Sequence, residues 1–417
     1  MNPNLEQQLI GLKAAARKLQ SLKDETFQEV LTDLSRQVMA DEKEILSANE
    51  LDLARMDPSN PKYDRLKLTP LRLKGIANGV GDVARLESPL GRMLMHTQRP
   101  NGLVIERVSV PFGVVCIIFE ARPNVCLDVF SICLKSGNAC CLKGGSDARQ
   151  TNLRIVGIIK EVLERHGLDP STVEYMDIGH EETQQLLSAT EYVDLVIPRG
   201  SSRLIEAVRK SAKVPVIETG AGICHTYVDK DADIDMAGRI VLNAKTRRVS
   251  VCNALDCMIL HKDLLGDLPH ITEPLKDKHV IIHADERAYK ALSGSYPEDL
   301  LVKATPESFG TEFLDYKMSI KTVDCIEEAL DHITLNSSRH SECIVTEDAA
   351  SASRFIETVD AACVYHNAPT SFSDGGEFGL GAEIGISTQK LHARGPMGLE
   401  ALTTYKWVIK GSGQIRS

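Results

Sequence analysis

The chain has 417 residues, of which 43% are hydrophobic and 25% are charged, which is the composition of an ordinary soluble enzyme with two or three domains. A disordered or fibrous protein is excluded. The formal net charge of −10 leaves no basic surface for nucleic acid or anionic lipid, so we expect small molecules as partners.

The first part of the chain predicts helices. Apolar residues recur at steps of three and four, the spacing of one helix face, and they are Leu5, Leu9, Leu12, Ala16 and Leu19. A similar pattern begins at Phe27 and predicts one long helix that continues past Ile45 and ends at the prolines of 57–64. No signal peptide precedes these helices and no apolar run is long enough to span a membrane, so we expect a cytoplasmic protein.

From residue 102 the pattern changes to short β-branched runs. The segment GLVIERVSV predicts a ribbon, and GVVCIIF predicts a buried strand. Strands and helices then alternate up to the predicted strand VPVIE at 214–218, which is the pattern of βαβ units. We therefore predict an α/β fold with a parallel, doubly wound sheet.

A second α/β series follows residue 225. We predict helices at 233–246, 324–336 and 348–357, and strands at 255–261, 278–283, 341–346 and 361–365. The glycine-rich stretch 373–400 is expected to form long loops, and TTYKWVIK closes the chain as a strand. These elements predict a second α/β domain.

The eleven cysteines fit neither a disulfide framework nor a metal motif, because their number is odd and no C-x-x-C pair occurs. Ten of them read as small packing residues of the core. Cys252 differs because it lies in a loop, NAKTRRVSVCNALD, with Arg247 and Arg248 upstream. Positive charge and amide donors lower the pKa of a thiol, so Cys252 is either a nucleophile or an ordinary loop cysteine.

Signals for a nucleotide are individually weak. No complete G-x-G-x-x-G or Walker A motif occurs, and GAGICH at 220–225 lacks the third glycine. In PRGSSRLIEAV, Gly200 and Ser201 join a strand to a helix whose N–H groups either bind a phosphate or are simply capped. In LKGGSDA, Lys143 ends a strand in the same layout. Glu218 precedes TGAG and is either a ligand-facing carboxylate or a solvated loop acid, and His225 and His392 read as structural imidazoles.

Five strings together resemble the aldehyde dehydrogenase superfamily, most closely its glutamate-5-semialdehyde dehydrogenase branch: VPFGVVCIIFEARPNV, LKSGNACCLKGGSDA, VPVIETGAG, NAKTRRVSVCNALD and KLHARGPMGLEALTTYKW. The resemblance spans nearly the whole chain. It implies an aldehyde dehydrogenase-like fold with an NADP-binding domain at 1–225, a catalytic domain at 226–370, and returning loops with an oligomerisation strand at 371–417. Residues 96–110 correspond to the oligomerisation hairpin, so a homo-oligomer is expected.

Site residues carry over position by position. Cys252 falls on the catalytic cysteine of the superfamily and Glu218 on its glutamate, while Asn124 is a displaced substitute for the oxyanion-hole asparagine. The resemblance assigns the cofactor to Lys143, Gly200, Ser201 and Glu312. Ser146 stands where relatives that use NAD place an acid, and the absence of that carboxylate favours NADP.

The branch implies a reaction in which the Cys252 thiolate attacks L-glutamyl 5-phosphate, phosphate leaves, and NADPH reduces the resulting thioester to L-glutamate 5-semialdehyde in proline biosynthesis. Oxyanions at both tetrahedral stages need donors, for which the Cys252 N–H and Asn124 are candidates. The anionic groups of the substrate need cations, for which Arg122, Arg248 and Arg394 are candidates. A functional contact with glutamate 5-kinase would suit the unstable acyl phosphate.

Alternatives remain at this stage. A non-phosphorylating, NAD(P)-dependent aldehyde dehydrogenase would use the same residues without phosphate. A silent binding protein would have no use for the nucleophile, and a cysteine hydrolase would need a histidine that the sequence does not place beside Cys252.

Overall fold

The computed structural model describes residues 1–60 and 63–416. The helices of these residues, in chain order, are α1 (Pro3–Leu19), α2 (Asp24–Ala40), α3 (Glu42–Leu53), α4 (Tyr63–Leu66), α5 (Pro70–Arg85), α6 (Val125–Lys135), α7 (Arg149–Arg165), α8 (His180–Leu187), α9 (Ser202–Ser211), α10 (Ile234–Thr246), α11 (Leu268–Lys276), α12 (Glu286–Leu292), α13 (Ile326–Asn336) and α14 (Ala349–Thr358). None of them is long and apolar enough to cross a membrane.

The strands of the same residues are β1 (Met93–Gln98), β2 (Val104–Pro111), β3 (Val114–Phe119), β4 (Ala139–Lys143), β5 (Val173–Tyr175), β6 (Leu195–Arg199), β7 (Cys224–Val228), β8 (Leu255–His261), β9 (Ile281–Ala284), β10 (Leu301–Lys303), β11 (Lys317–Val323), β12 (Ser341–Val345), β13 (Cys363–His366), β14 (Ile386–Ser387), β15 (Gly395–Pro396) and β16 (Thr403–Lys410). The chain forms two compact units. Unit 1 comprises Met1–Thr219, Gly379–Gly385 and Met397–Ser417, and unit 2 comprises Gly220–Phe378 and Ile386–Pro396.

Unit 1 is built on a parallel four-stranded sheet in the order β5-β4-β3-β6. From β3 the chain proceeds to β4 and β5 on one side and then returns to β6 on the other side of β3. The strand order therefore reverses between β3 and β6, and a ligand crevice is expected beyond the carboxyl ends of these two strands. The predicted parallel α/β sheet is confirmed.

The N-terminal helices cover this sheet. The predicted apolar face of α1 is confirmed, since Leu5, Leu9 and Leu12 are buried in one cluster with Val114 and Cys116 of β3. Burial of each leucine contributes about 1.5–3 kcal/mol. The single long helix expected from Phe27 past Ile45 is wrong, because the backbone of Asp41 leaves the helical region and divides it into α2 and α3.

A separate antiparallel sheet of unit 1 has the order β1-β2-β16. The last strand was predicted within its observed bounds, and it pairs with β2 along its whole length, from Thr403 opposite Pro111 to Lys410 opposite Val104. Large apolar side chains remain exposed on its two outer strands, namely Met93, Leu94, Met95, Tyr405, Trp407 and Ile409. The sheet therefore presents apolar surface at both edges.

Unit 2 contains a parallel seven-stranded sheet in the order β10-β9-β11-β8-β7-β12-β13. Its central strands β7, β8 and β12 are buried along their whole length, although their sequences CHTYV, LDCMILH and SECIV include polar residues. Helices α10 and α11 pack with the sheet in one apolar core, while α13 and α14 contribute to another. The second α/β series is confirmed, with β8 at its predicted bounds.

One predicted strand is wrong. The segment 214–218 lies beside β6 but forms a single bridge, between Val216 and Val196. Val196 donates to the carbonyl of Pro215 and accepts from the N–H of Ile217. Pro215 has no N–H of its own, so the ladder cannot extend. Glu218 consequently follows an irregular segment rather than a strand.

The cysteines fall into three environments. Nine are buried and none of the eleven forms a disulfide. Burial raises the pKa of the Cys257 and Cys343 thiols to about 12, as expected for packing residues. Cys252 is half-buried, and Cys325 at the start of α13 is exposed, so the expectation of ten packing cysteines is wrong for Cys325.

Candidate active site

The Cys252 thiol of unit 2 lies next to a buried imidazole. Its Sγ is 3.1 Å from Nε2 of His340, the residue that precedes β12. Burial lowers the pKa of His340 to about 4, so the ring is neutral at pH 7 and can accept a proton at Nε2. The sequence did not place this histidine, because it lies 88 residues from Cys252 in the chain.

A chain of hydroxyl groups begins at Nδ1, the other nitrogen of the His340 ring. Nδ1 of His340 is 2.8 Å from Ser341 Oγ, which contacts Ser373 Oγ, which in turn lies 2.7 Å from the hydroxyl of Tyr365. In the tautomer protonated at Nδ1, His340 donates to Ser341 and accepts from the Cys252 thiol. A thiol, an imidazole and a hydroxyl group that contacts the far nitrogen of the imidazole are therefore arranged in sequence.

The loop that carries Cys252 is held from both sides. The amide of Asn253 donates to the carbonyls of Ser371 and Ser373, and Thr370 donates to the carbonyl of Asn253. On the other side the backbone of Gly222 lies so close that an added Cβ would be 1.7 Å from the Cys252 carbonyl oxygen. Only glycine fits at this position.

Gly222 also links the nucleophile loop to Glu312. Its N–H donates to Glu312 Oε1 at 2.8 Å, and the neighbouring Phe313 N–H donates to the buried carboxylate of Asp256. The structure thus brings Cys252 and Glu312, two of the predicted site residues, to opposite sides of the same glycine. GAGICH resembled part of a nucleotide-binding motif in the sequence. In the structure its Gly222 instead allows the backbone to pass close to the carbonyl of Cys252.

Arg248 and Arg394 are the remaining predicted residues of unit 2. Arg248 is exposed in the turn after α10. Arg394 forms an ion pair with Asp360 at 2.8 Å, and hydrogen bonds from Lys390 and Arg394 lower the pKa of Asp360 to about 2. Arg394 therefore already has an anionic partner.

In unit 1 the predicted cofactor residues gather at the carboxyl edge of the parallel sheet. Lys143 ends β4, Ser146 is exposed at the turn before α7, and Gly200 with Ser201 follows β6. Burial lowers the pKa of Lys143, and its Nζ donates to the carbonyl of Gly144 at 2.9 Å. These residues surround the position at which the strand order reverses.

A carboxylate occupies the N-terminus of α9. Glu120, which follows β3, accepts from the N–H of Ser201 at 3.2 Å and from its hydroxyl at 3.1 Å. Sequence reasoning did not single out Glu120. Its carboxylate therefore lies at the N-cap of α9, where the helix dipole favours negative charge.

Three more predicted residues lie in unit 1. Asn124 is the N-cap residue of α6, but its side chain does not accept a hydrogen bond from the backbone of that helix. Its amide instead donates to the carboxylate of Asp128 at 2.8 Å. Arg122 is half-buried in the turn before it. Glu218 is half-buried, and its Oε1 is 3.9 Å from Nε of Arg209.

Comparison with known proteins identifies the family. The model of the aldehyde dehydrogenase family matches residues 75–278. Over the whole length of both chains, the protein is 61% identical to a γ-glutamyl phosphate reductase of Bacteroides thetaiotaomicron, and it is 59% identical over 99% of its length to all of the one from Bacteroides fragilis. The chain belongs to the aldehyde dehydrogenase family, on its γ-glutamyl phosphate reductase branch.

A solved structure confirms the fold of this aldehyde dehydrogenase family member. The crystal structure of a γ-glutamyl phosphate reductase from Thermotoga maritima superimposes with a TM-score of 0.95 at 38% identity, covering 99% of this chain and 100% of the other. The expected aldehyde dehydrogenase-like fold is therefore confirmed. Enzymes of this family are oxidoreductases that use nicotinamide cofactors.

Proposed function

We propose that this aldehyde dehydrogenase family member catalyses the NADPH-dependent reduction of L-glutamyl 5-phosphate to L-glutamate 5-semialdehyde and phosphate, in proline biosynthesis. The 3.1 Å contact between Cys252 Sγ and His340 Nε2 carries the mechanism. The substrate class follows from the full-length similarity to enzymes named γ-glutamyl phosphate reductase.

In the first step the Cys252 sulfur attacks the acyl carbon as its proton moves to His340 Nε2. The carbon–oxygen bond to phosphate breaks, phosphate leaves, and a thioester forms on Cys252. A second donor beside the Cys252 N–H is assigned to Asn124, whose amide has two N–H groups, one of them engaged with Asp128. Arg122, Arg248 and Arg394 are the proposed cations for the anionic groups of the substrate, and Arg394 would have to exchange Asp360 for the substrate to act there.

The cofactor assignment fits the carboxyl edge of unit 1. Gly200, Ser201 and the start of α9 would hold the pyrophosphate, Lys143 the adenosine end, and Glu312 of unit 2 the nicotinamide ribose. Bound NADPH would supply the hydride that reduces the thioester. The Cys252 sulfur then leaves as the aldehyde forms. Because Glu218 matches the position of the conserved glutamate of the family, we propose that it takes part in proton transfer.

A direct test is NADP reduction with L-glutamate 5-semialdehyde, measured with and without inorganic phosphate. The proposal requires phosphate, because the acyl-enzyme must be released as an acyl phosphate. Equal rates without phosphate would instead establish a non-phosphorylating aldehyde dehydrogenase.

The role of His340 leads to a prediction about thiol reactivity. We expect His340→Gln to lower kcat/KM by about 10²-fold or more, since general-base assistance is typically worth 10²–10⁴. Alkylation of Cys252 by iodoacetamide should slow in parallel.

The matched control is His366→Gln, since His366 lies in the same unit and bonds the carbonyl of Thr346. It should alkylate at the wild-type rate. If His340→Gln also retained wild-type alkylation and turnover, the imidazole would have no part in activating the thiol.

Cofactor preference provides another prediction. We expect Ser146→Asp to raise the KM for NADPH about 10- to 100-fold, because a carboxylate about 5 Å from the 2′-phosphate at this exposed position is repelled by about 2 kcal/mol after solvent screening. The KM for NADH should not rise. Ser146→Ala is the control, since it removes the hydroxyl without adding charge, and an Asp variant with unchanged preference would place the 2′-phosphate elsewhere.

We also propose a cytoplasmic homo-oligomer assembled through the sheet of β1, β2 and β16. The exposed apolar residues at both edges of this sheet support the proposal, since large apolar patches mark interaction surfaces. Analytical ultracentrifugation tests it, and a monomeric mass at micromolar concentration would contradict it. A contact with glutamate 5-kinase remains a proposal, testable by co-sedimentation with the purified kinase.

A further inference from the structure

A buried cluster of two histidines and one cysteine lies in the core of unit 2. His225 of β7 and Cys257 of β8 are directly opposite each other in the parallel ladder, and His332 of α13 packs over them. Nitrogen and sulfur atoms of the three side chains all lie within 4.8 Å of one another. Cys257 Sγ lies 3.7 Å from His332 Nε2.

The orientation of His225 is fixed by a carboxylate. Glu342 of β12 is the ladder neighbour of His225, and its Oε2 accepts from the backbone N–H at 2.9 Å and from Nδ1 at 3.0 Å. The proton therefore resides on Nδ1, and Nε2 presents a lone pair toward the cluster. This nitrogen is completely buried and has no hydrogen-bond partner among the described residues.

A buried polar atom without a hydrogen-bond partner lowers the free energy of unfolding by about 1–3 kcal/mol. A ligand that binds Nε2 of His225 would remove this cost. Carboxylate–histidine pairs of this kind orient histidine ligands of metal ions, with the second nitrogen on the metal. Atoms that share a tetrahedral zinc ion at about 2.0–2.3 Å lie roughly 3.3–3.7 Å apart, so the observed cluster needs only a small contraction.

We propose that His225, Cys257 and His332 bind one Zn²⁺ ion. On binding, the Cys257 thiol releases its proton to solvent and a zinc–sulfur bond forms. The ion, the thiolate and the Glu342 carboxylate then sum to zero charge, as a buried site requires. The positive charge of Lys321 also acts on His332, and its ammonium lies over the ring of Phe309.

This site is distinct from the nucleophile. It joins two central strands to α13, whereas the imidazole beside the Cys252 thiol is that of His340. Its role is therefore structural, and the absence of a C-x-x-C pair from the sequence is no obstacle, because the ladder rather than local spacing brings the ligands together.

The test is metal binding by the full-length protein after removal of metal with a chelator. With Zn²⁺ alone we expect one tightly bound ion per chain by mass spectrometry of the metal, and with Co²⁺ a near-ultraviolet band from a thiolate-bound ion. His332→Gln and Cys257→Ser should each weaken binding at least 100-fold. Cys252→Ser, which removes the other thiol that lies beside an imidazole, should bind the ion and show the band as the wild type does.

The proposal fails if the Cys252→Ser protein binds no stoichiometric Zn²⁺, or if the Co²⁺ band depends on Cys252 rather than on Cys257. Should Cys257→Ser not fold, metal binding by His332→Gln and the spectrum of the Cys252→Ser protein decide the question. A rise in Tm on adding Zn²⁺ that His332→Gln abolishes would support a structural role, because an ion that binds only the folded state stabilises it.

Discussion

Replacing Cys252 by alanine is expected to lower kcat by about 10⁴-fold or more in both directions, while the fold is kept. Loss of a nucleophile removes the covalent route, and residual rates then come only from binding and electrostatic stabilisation. Because Cys252 is half-buried in a loop, alanine leaves no large cavity. The measurements are steady-state turnover and thermal unfolding of the same preparation.

A covalent readout separates this result from a general loss of the site. Incubation with the acyl phosphate in the absence of NADPH should add a glutamyl mass to the wild-type chain and none to Cys252→Ala. Cys325→Ala is the matched control, since Cys325 is the exposed thiol of the same unit. More than 1% residual activity in Cys252→Ala, or an adduct that forms without this residue, would refute the thioester mechanism.

Gly222→Ala is the second substitution with a large expected effect. Its Cβ would lie 1.7 Å from the Cys252 carbonyl oxygen and 2.3 Å from the carbonyl carbon, so one of the two backbones must move. A displacement of about 1 Å at a reacting group costs roughly 10²-fold in rate, and overpacking costs typically 1–3 kcal/mol of stability. We expect both losses, measured by kcat/KM and by urea unfolding.

The control for this change is Gly266→Ala. Gly266 lies in a turn of the same unit and has nothing within 4 Å of an added Cβ, so stability and activity should stay near those of the wild type. If Gly222→Ala behaved in the same way, the loop around Cys252 would be able to yield, and its geometry would matter less to catalysis than the contacts indicate.

Periodicity predicted much of the fold. Strand β8 was correct at both ends because its seven residues, five of them apolar, are followed by the charged turn at Lys262 and Asp263, and α1 was correct because its leucines mark one face. The sequence gives no warning at Asp41, a residue that helices tolerate, so the division between α2 and α3 was missed. Helix α5 was overlooked although Thr69 and Pro70 form a cap followed by a first-turn proline, a recognisable start signal.

The candidate site was predictable only where local motifs carry it. Cys252, Lys143 and the Gly200–Ser201 pair lie in short sequence motifs that can be recognised without knowledge of the fold. His340 belongs to none, since its contact with the thiol depends on a ladder and a loop that join distant parts of unit 2. Glu120 was visible in the branch string, but its position at the start of α9 required knowing that β6 pairs with β3.

The chain enters and leaves unit 1 more than once, because residues 379–385 and the terminal segment with β16 belong to it. During synthesis on the ribosome, β2 therefore emerges nearly three hundred residues before its partner strand. Until then its outer edge exposes unpaired N–H and C=O groups, a condition that favours association with other chains. A fragment that stops at Thr219 would keep that edge permanently, so shortened forms of this protein are expected to aggregate rather than to fold as an isolated half.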